Sequence, residues 1–405
     1  MASKLDIFRF ILLQISMTIQ YIADNSALEE SIAHLNTCTE FSIDLEFDKN
    51  RYRYGFNLCL MQIFTGEQCF LIDPLSADLT IEKIFPVLAN PNIQKIVFAF
   101  GEDLRLLHSL GCFPKNLYDL DVATSLLNYA PASLTNLLAE IIGIEVGKSS
   151  QQSNWFQRPL SEQQINYAAE DVLYLLTLKE ELLKQAKKAK ITDWITQENS
   201  IFDTLDYSDE DHNPIIKEKD KKDLSVFEWH IFTRLSEFID TVAQKYSKPN
   251  YQIMDKKVLD QISRNPGKIG QWEKLPGIYR KLKNDQFKKE ISGVLEEIIS
   301  EAEQKNLSKT EKAETSFTKE EYLAFREEQR RINQIKEEVF IPIQQRIVED
   351  YGKNVKSFLL SNRQIKEIIT GEGSIPDYKK SLFQNYAEEL NLDVSPYLNS
   401  EKKAS

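Results

Sequence analysis

Asp44 and Glu46 occupy alternate positions of Phe41-Ser-Ile-Asp-Leu-Glu-Phe47, a run that otherwise reads as a buried strand. Successive strand side chains point to opposite faces, so the two carboxylates share one. Like charges side by side on an apolar strand raise each other's pKa and destabilise the fold unless something cationic sits between them. A divalent metal ion would meet that need, although an isolated Asp-x-Glu is also compatible with an exposed acidic patch beside a turn. A third carboxylate, Asp103, lies in Ala99-Phe-Gly-Glu-Asp103, where a strand gives way to a helix. An Asp there equally suits a helix N-cap. In Tyr167-Ala-Ala-Glu-Asp171, inside a helical stretch, Tyr167 and Asp171 sit at i and i+4 and point the same way. Taken singly, that pair also fits a buried phenol bonded to an Asp one turn on.

The elements that must position these groups belong to a chain of 405 residues, too many for one ordinary domain. Its net charge of -12 excludes a histone-like grip on nucleic acid but leaves room for local basic patches. Cys38, Cys59, Cys69 and Cys112 include no C-x-x-C pair and read as reduced thiols. The apolar run Phe8 to Met17 is too short to span a bilayer and lacks a cleavage site, so a soluble, cytoplasmic protein with no membrane partner is expected. Regular pattern begins at Thr18, which makes Met17 the expected natural start. A strand at Thr18 to Ile22, a helix at Ala27 to Leu35, and strands around Asp44, at Asn57 to Phe64 and at Gln68 to Asp73 predict an antiparallel meander. Helix (Ile81 to Leu88), strand (Lys95 to Phe100), helix (Asp103 to Leu110), a short strand near Leu117 and helices to about Lys188 follow. This order predicts a mixed sheet flanked by helices. Residues 201–224 lose apolar periodicity and read as a charged linker. Only helical patterns follow, at Ser225 to Gln244, Asp255 to Arg264, Lys288 to Lys305 and from 316 to about 392. His34 and His108 lack partners at ligand spacing and are expected to be ordinary surface or helix residues.

The acidic strand, the carboxylate at the strand-to-helix turn and Tyr-x-x-x-Asp, in this order, resemble the active site of the DEDD exonucleases, in the branch marked by the tyrosine. Leu117-Tyr-Asp-Leu-Asp121, Ala123-Thr-Ser-Leu-Leu127, Ser133-Leu-Thr-Asn-Leu-Leu138, Lys148-Ser-Ser-Gln-Gln-Ser-Asn-Trp155 and Arg158-Pro-Leu160 are similar to the ribonuclease D family. The resemblance implies a ribonuclease H-like fold over an exonuclease domain at 18–200. It further implies two divalent ions, Mg²⁺ or Mn²⁺, since oxygen-only ligation does not favour zinc. By the same resemblance Asp44 bridges the ions, Glu46 and Asp171 complete the nucleophile side, Asp103 serves the leaving-group side, and Tyr167 orients the water. Phe47 and Arg158 are expected to touch nucleic acid. Two positions depart from the family's pattern: Phe98 where many members carry His, and Asn154 where an Asp commonly precedes the Trp. Asp119 and Glu170 are nearby carboxylates that fit the metal pattern less well.

Residues 225–306 resemble the helical domain shared by RecQ-type helicases and ribonuclease D (HRDC), through Phe227-Glu-Trp229, Arg234, the helix start at Asp255 and Leu275-Pro-Gly277. Lys256, Lys257, Arg280 and Lys281, with Lys268 and Lys283, are its candidate phosphate contacts, against the plainer reading of a solvated charged face. Residues 316–395 look like a second, diverged copy with Lys319, Tyr322, Arg326, Arg330 and Arg331 on its basic face. The expectation is therefore a monomeric, metal-dependent 3′-5′ exoribonuclease that trims structured, tRNA-like 3′ ends to 5′-mononucleotides. A 3′-5′ exonuclease acting on DNA and a catalytically silent RNA-binding scaffold are its rivals. Because all candidate catalytic groups precede the linker, a fragment ending near Lys188 is expected to remain active on unstructured oligonucleotides.

Overall fold

The computed structural model describes residues 18–147, 152–209, 216–313, 319–372 and 375–398. The expected start at Met17, residues 148–151 of the Lys148 to Trp155 motif, residues 210–215 of the linker and the Lys319 side chain lie outside the described residues.

Six strands form one sheet in the order β1-β4-β3-β2-β5-β6, with β1 at Thr18–Ile22, β2 at Glu40–Lys49, β3 at Phe56–Phe64, β4 at Gln68–Ile72, β5 at Gln94–Val97 and β6 at Leu117–Asp119. β3 and β4 pair antiparallel, while β1 on β4, β2 on β5 and β5 on β6 are parallel. The sheet is thus mixed, as expected, with the acidic strand β2 near its middle. Phe41, Ile43 and Leu45 point into the core from one face of β2, which leaves Ser42, Asp44 and Glu46 on the other. The longer helices of this part are α1 (Asn25–Leu35), α2 (Gly101–Ser109), α3 (Leu120–Leu126), α4 (Glu162–Leu173), α5 (Leu175–Ala189) and α6 (Thr192–Ser200). β5 ends at Val97, three residues before the expected Phe100. Ala99 adopts φ 53°, and such a left-handed residue cannot continue a strand.

The described chain divides into two compact units. One comprises the sheet region with residues 319–372 and 375–398, and the other comprises Phe47–Leu58 with residues 216–313. In the second unit α7 (Val226–Tyr246) begins at a capping box in which the Ser225 hydroxyl accepts from the Glu228 N–H (3.2 Å) and Glu228 Oε2 accepts from the Ser225 N–H (2.8 Å). It packs with α8 (Lys256–Arg264) and α9 (Asp285–Gln304) around Trp272, Ile231, Leu235 and Ile291. Gly277 is required here: its φ is +70°, and an added Cβ would lie 2.7 Å from the Asp255 Cβ.

Residues 319–398 correct one expectation. Helices α10 (Lys319–Ile335), α11 (Ile341–Tyr351), α12 (Asn362–Thr370) and α13 (Asp377–Glu389) share one apolar core with α3, α5 and α6, through Phe340, Ile343, Ile347 and Phe383 on one side and Val122, Leu178, Leu182 and Ile195 on the other. Asn128 accepts twice from Asn354, its Oδ1 from the backbone N–H and its carbonyl from the side-chain amide (2.9 Å each). Glu198 accepts from the Tyr378 hydroxyl (2.5 Å) and pairs with Lys379 (3.0 Å). The C-terminal helices are therefore built into the sheet unit instead of standing apart as a second small domain. A fragment ending near Lys188 would leave the apolar faces of α3 and α5 without the C-terminal helices that cover them.

Candidate active site

α4 carries two of the candidate groups and is fixed at both ends. Its start is a capping box: the Ser161 hydroxyl accepts from the Gln164 N–H (3.2 Å), and Gln164 Oε1 accepts from the Ser161 N–H (3.1 Å). Near its end the buried Ser42 hydroxyl donates to the Val172 carbonyl at 2.7 Å. Ser42 lies two residues before Asp44 on the same face of β2, and Val172 follows Asp171. One hydrogen bond thus sets the helix carboxylate against the strand carboxylates. Nothing in the sequence marks Ser42 for this task.

Asp44, Glu46 and Asp171 each offer an oxygen within 4.8 Å of the others. Glu46 is only 6% exposed, and Asp44 and Asp171 retain partial exposure. Burial, followed by the charges of Asp103 and Asp171, holds the Asp44 carboxyl well above the usual range. Burial, followed by Asp44, does the same to Glu46. Asp171 is raised to about 7, chiefly by burial, while a hydrogen bond from the Tyr167 hydroxyl works in the opposite direction. The Tyr167 ring also lies beside Trp155, with centroids 6.2 Å apart.

Asp103 stands outside that trio but within electrostatic reach of Asp44. It is 9% exposed, raised by burial to about 7, and sits three residues into α2, whose N-cap is Phe100. Asp103 is therefore not the cap. The structure brings four carboxylates and one phenol together from β2, α2 and α4. None of the four forms an ion pair with a lysine or arginine among the described residues. A buried, oxygen-only, like-charged set of this kind fits divalent cations of the Mg²⁺ or Mn²⁺ class.

Asp119 and Glu170 are committed elsewhere. The Asp119 carboxylate accepts from the N–H groups of Ala99 (2.8 Å), Phe100 (2.9 Å) and Asp121 (2.9 Å), and Glu170 accepts from the Gly147 N–H (3.2 Å).

Residues 19–187 match the 3′-5′ exonuclease family. Those residues are similar to a 3′-5′ exonuclease domain. Among curated relatives, this chain is 29% identical to the ribonuclease D of Bartonella henselae over 60% of this chain and 60% of that one, and 28% identical to the ribonuclease D of Xanthomonas oryzae over 60% of this chain and 68% of that one. The chain thus spans about three fifths of the first relative's length. The fold of Escherichia coli RNase D, described as an exoribonuclease involved in structured RNA processing, superimposes with a TM-score of 0.64 over 92% of this chain and 99% of that one, at 21% identity. This likeness of fold extends beyond residues 19–187 into the helical regions. No helix among the described residues is long and apolar enough to cross a membrane.

Other candidate contacts fare differently. Arg158 uses all five of its N–H donors internally, on Asp73 (2.6 and 2.7 Å), Trp155 O (2.7 Å), Gln157 O (2.8 Å) and Cys59 O (2.7 Å). It has no donor left for a phosphate, which corrects the expectation placed on it. Tyr21 closes the same cluster by donating to Asp73 (2.5 Å). Lys256 pairs with Asp220 at 2.5 Å, whereas Lys257, Arg280 and Lys281 are exposed. Phe47 is half-buried, edge-on to Phe56 at 5.2 Å. Asn154 still caps its turn, accepting from the Phe156 N–H (3.1 Å). His108 is a residue of α2, as one alternative of the expectation had it, but a buried one: it is 3% exposed, and its Nδ1 accepts from the Tyr207 N–H at 3.1 Å.

Proposed function

We propose that this chain is a metal-dependent exoribonuclease of the ribonuclease D type, which shortens RNA from the 3′ end and releases 5′-mononucleotides. The observation that carries the reading is the convergence of Asp44, Glu46 and Asp171 within 4.8 Å, with Asp103 in electrostatic reach and Tyr167 bonded to Asp171, inside an exonuclease domain. Asp44 would serve both of two divalent ions, Glu46 and Asp171 the one beside the attacking water, and Asp103 the one beside the departing 3′-oxygen. Bound there, Mg²⁺ or Mn²⁺ would lower the pKa of the water and offset charge on the leaving oxygen. The chain's own part is positioning. Asp44, Glu46, Asp103 and Asp171 present fixed oxygens to one largely buried site. The Tyr167 hydroxyl, bonded to Asp171, orients the water.

The helices of 225–306 are read as an HRDC-like module that adds phosphate contacts through Lys257, Arg280 and Lys281, which favours structured RNA such as tRNA precursors. Incubating 5′-labelled RNA and DNA of equal sequence with Mg²⁺, Mn²⁺ or EDTA tests the proposal. A ladder shortening from the 3′ end, present only with metal and faster on RNA, is expected. No shortening with either metal, or equal shortening in EDTA, would overturn it.

A further inference from the structure

We propose that Asp119 is a positioning residue for Asp103: its carboxylate holds the left-handed turn that aims α2, and so decides whether the leaving-group side of the site can bind a cation. This rests on the proposed function for its meaning, but not for its test.

The turn from β5 into α2 passes through Ala99 at φ 53°, a conformation that an alanine avoids unless its surroundings impose it. The imposing group is Asp119. Oδ1 accepts from the Ala99 N–H (2.8 Å) and Oδ2 from the Phe100 N–H (2.9 Å), while Oδ1 also caps α3 by accepting from the Asp121 N–H (2.9 Å). Phe100 is the N-cap of α2, and Asp103 stands three residues beyond it. Asp119 is itself held at its backbone, its N–H donating to Asn199 Oδ1 at 2.7 Å, and Asn199 is fixed by donating from Nδ2 to the Ile195 carbonyl at 3.0 Å. Both Asp119 and Asn199 are 4% exposed, so water cannot replace either set of bonds without opening the core. A chain of fixed bonds therefore runs from α6 through β6 to the turn, and ends at Phe100, the N-cap of the helix that carries Asp103. Asp44, Glu46 and Asp171 are held by a different route, through β2, α4 and the Ser42 hydrogen bond.

The carboxylate cannot be replaced by an amide here. In Asp119→Asn, if Oδ1 keeps Ala99 and Asp121, the amide nitrogen faces the Phe100 N–H, donor against donor, and Phe100 is buried. The turn should then relax away from φ 53° and carry Asp103 with it. A glycine at 99 adopts that φ freely, so Ala99→Gly should reduce the turn's dependence on Asp119.

The test is isothermal titration with Mn²⁺ in the presence of adenosine 5′-monophosphate, with Asp103→Asn identifying the cation on its side. Wild type is expected to bind two Mn²⁺. Asp119→Asn should weaken the Asp103-side ion at least tenfold and leave the other within twofold, and Asp119→Asn with Ala99→Gly should recover most of that affinity. If Asp119→Asn does not fold by circular dichroism, Asn199→Ala should give a milder weakening confined to the same ion. Equal weakening of both ions, unchanged affinity for the Asp103-side ion, no recovery with glycine, or a wild type that binds fewer than two ions would overturn the inference. A wild type that binds two ions but shortens no RNA would overturn the proposed function and leave the role of Asp119 standing.

Discussion

Asp44→Asn should make the metal-free protein more stable while abolishing hydrolysis. The Asp44 carboxyl faces Glu46 and Asp171 with oxygens within 4.8 Å, and Asp103 adds to its repulsion. At 4.8 Å and an effective dielectric constant of about 20, one ionised pair costs about 3 kcal/mol. The sign with pH follows from the direction of the shifts. These carboxyls are raised in the fold above an unfolded value of about 4, so the folded state holds protons that the unfolded state has released. Wild-type stability in EDTA therefore falls as pH rises from about 4 through the folded values, which are about 7 for Asp103 and Asp171. The asparagine removes Asp44 from that balance. Its advantage should be small near pH 4.5 and approach about 3 kcal/mol by about pH 8. At roughly 2 °C per kcal/mol for a unit of this size, the unfolding midpoint rises by about 6 °C at the higher pH. Added Mn²⁺ should reverse the order, stabilising wild type more than the variant. Scanning fluorimetry with EDTA or Mn²⁺ at the two pH values, alongside a labelled-RNA assay, reads all of this. A variant that is no more stable at the higher pH, that gains equally at both pH values, or that still turns over RNA would refute the reasoning.

Tyr167→Phe should slow single-turnover hydrolysis by about 10- to 10²-fold while Mn²⁺ and RNA affinities hold, because only an orienting hydroxyl is removed; weaker RNA binding at an unaltered rate would contradict that role. Arg158→Ala should destabilise the protein by about 3 to 5 kcal/mol, measured by denaturant unfolding, because it leaves Asp73 buried without its cation. Arg158→Lys should not rescue it, since an ammonium cannot span five acceptors. Replacing Lys257, Arg280 and Lys281 together with alanine should lower affinity for precursor tRNA and flatten the slope of log affinity against log salt by about 0.7 to 0.9 for each phosphate that these side chains neutralise, read by filter binding across salt concentrations. An unchanged slope would remove these residues from the nucleic-acid surface.

The site was largely legible because its signals are local. Alternation along β2 placed Asp44 and Glu46 on one face, and i, i+4 spacing joined Tyr167 to Asp171. The mixed sheet followed from short turns and from the change of period after Leu79. What escaped the sequence depends on partners far along the chain. Periodicity gave α10 to α13 an apolar face but could not say that α3, α5 and α6 would meet it. Arg158 reads like a phosphate contact until its five acceptors are counted, and the Cys59 carbonyl lies 99 residues away. His108 finds Tyr207 at the same separation. Ala99 offered no cue at all, since alanine seldom adopts a positive φ and the cause, Asp119, lies on another strand.

Anomalous scattering from crystals grown with Mn²⁺ and a 5′-mononucleotide tests the central claim most directly. Two manganese peaks are expected, one ligated by Asp44, Glu46 and Asp171 and the other by Asp44 and Asp103, with the Tyr167 hydroxyl still bonded to Asp171. No manganese among these four carboxylates, or a single ion held without Asp44, would contradict it.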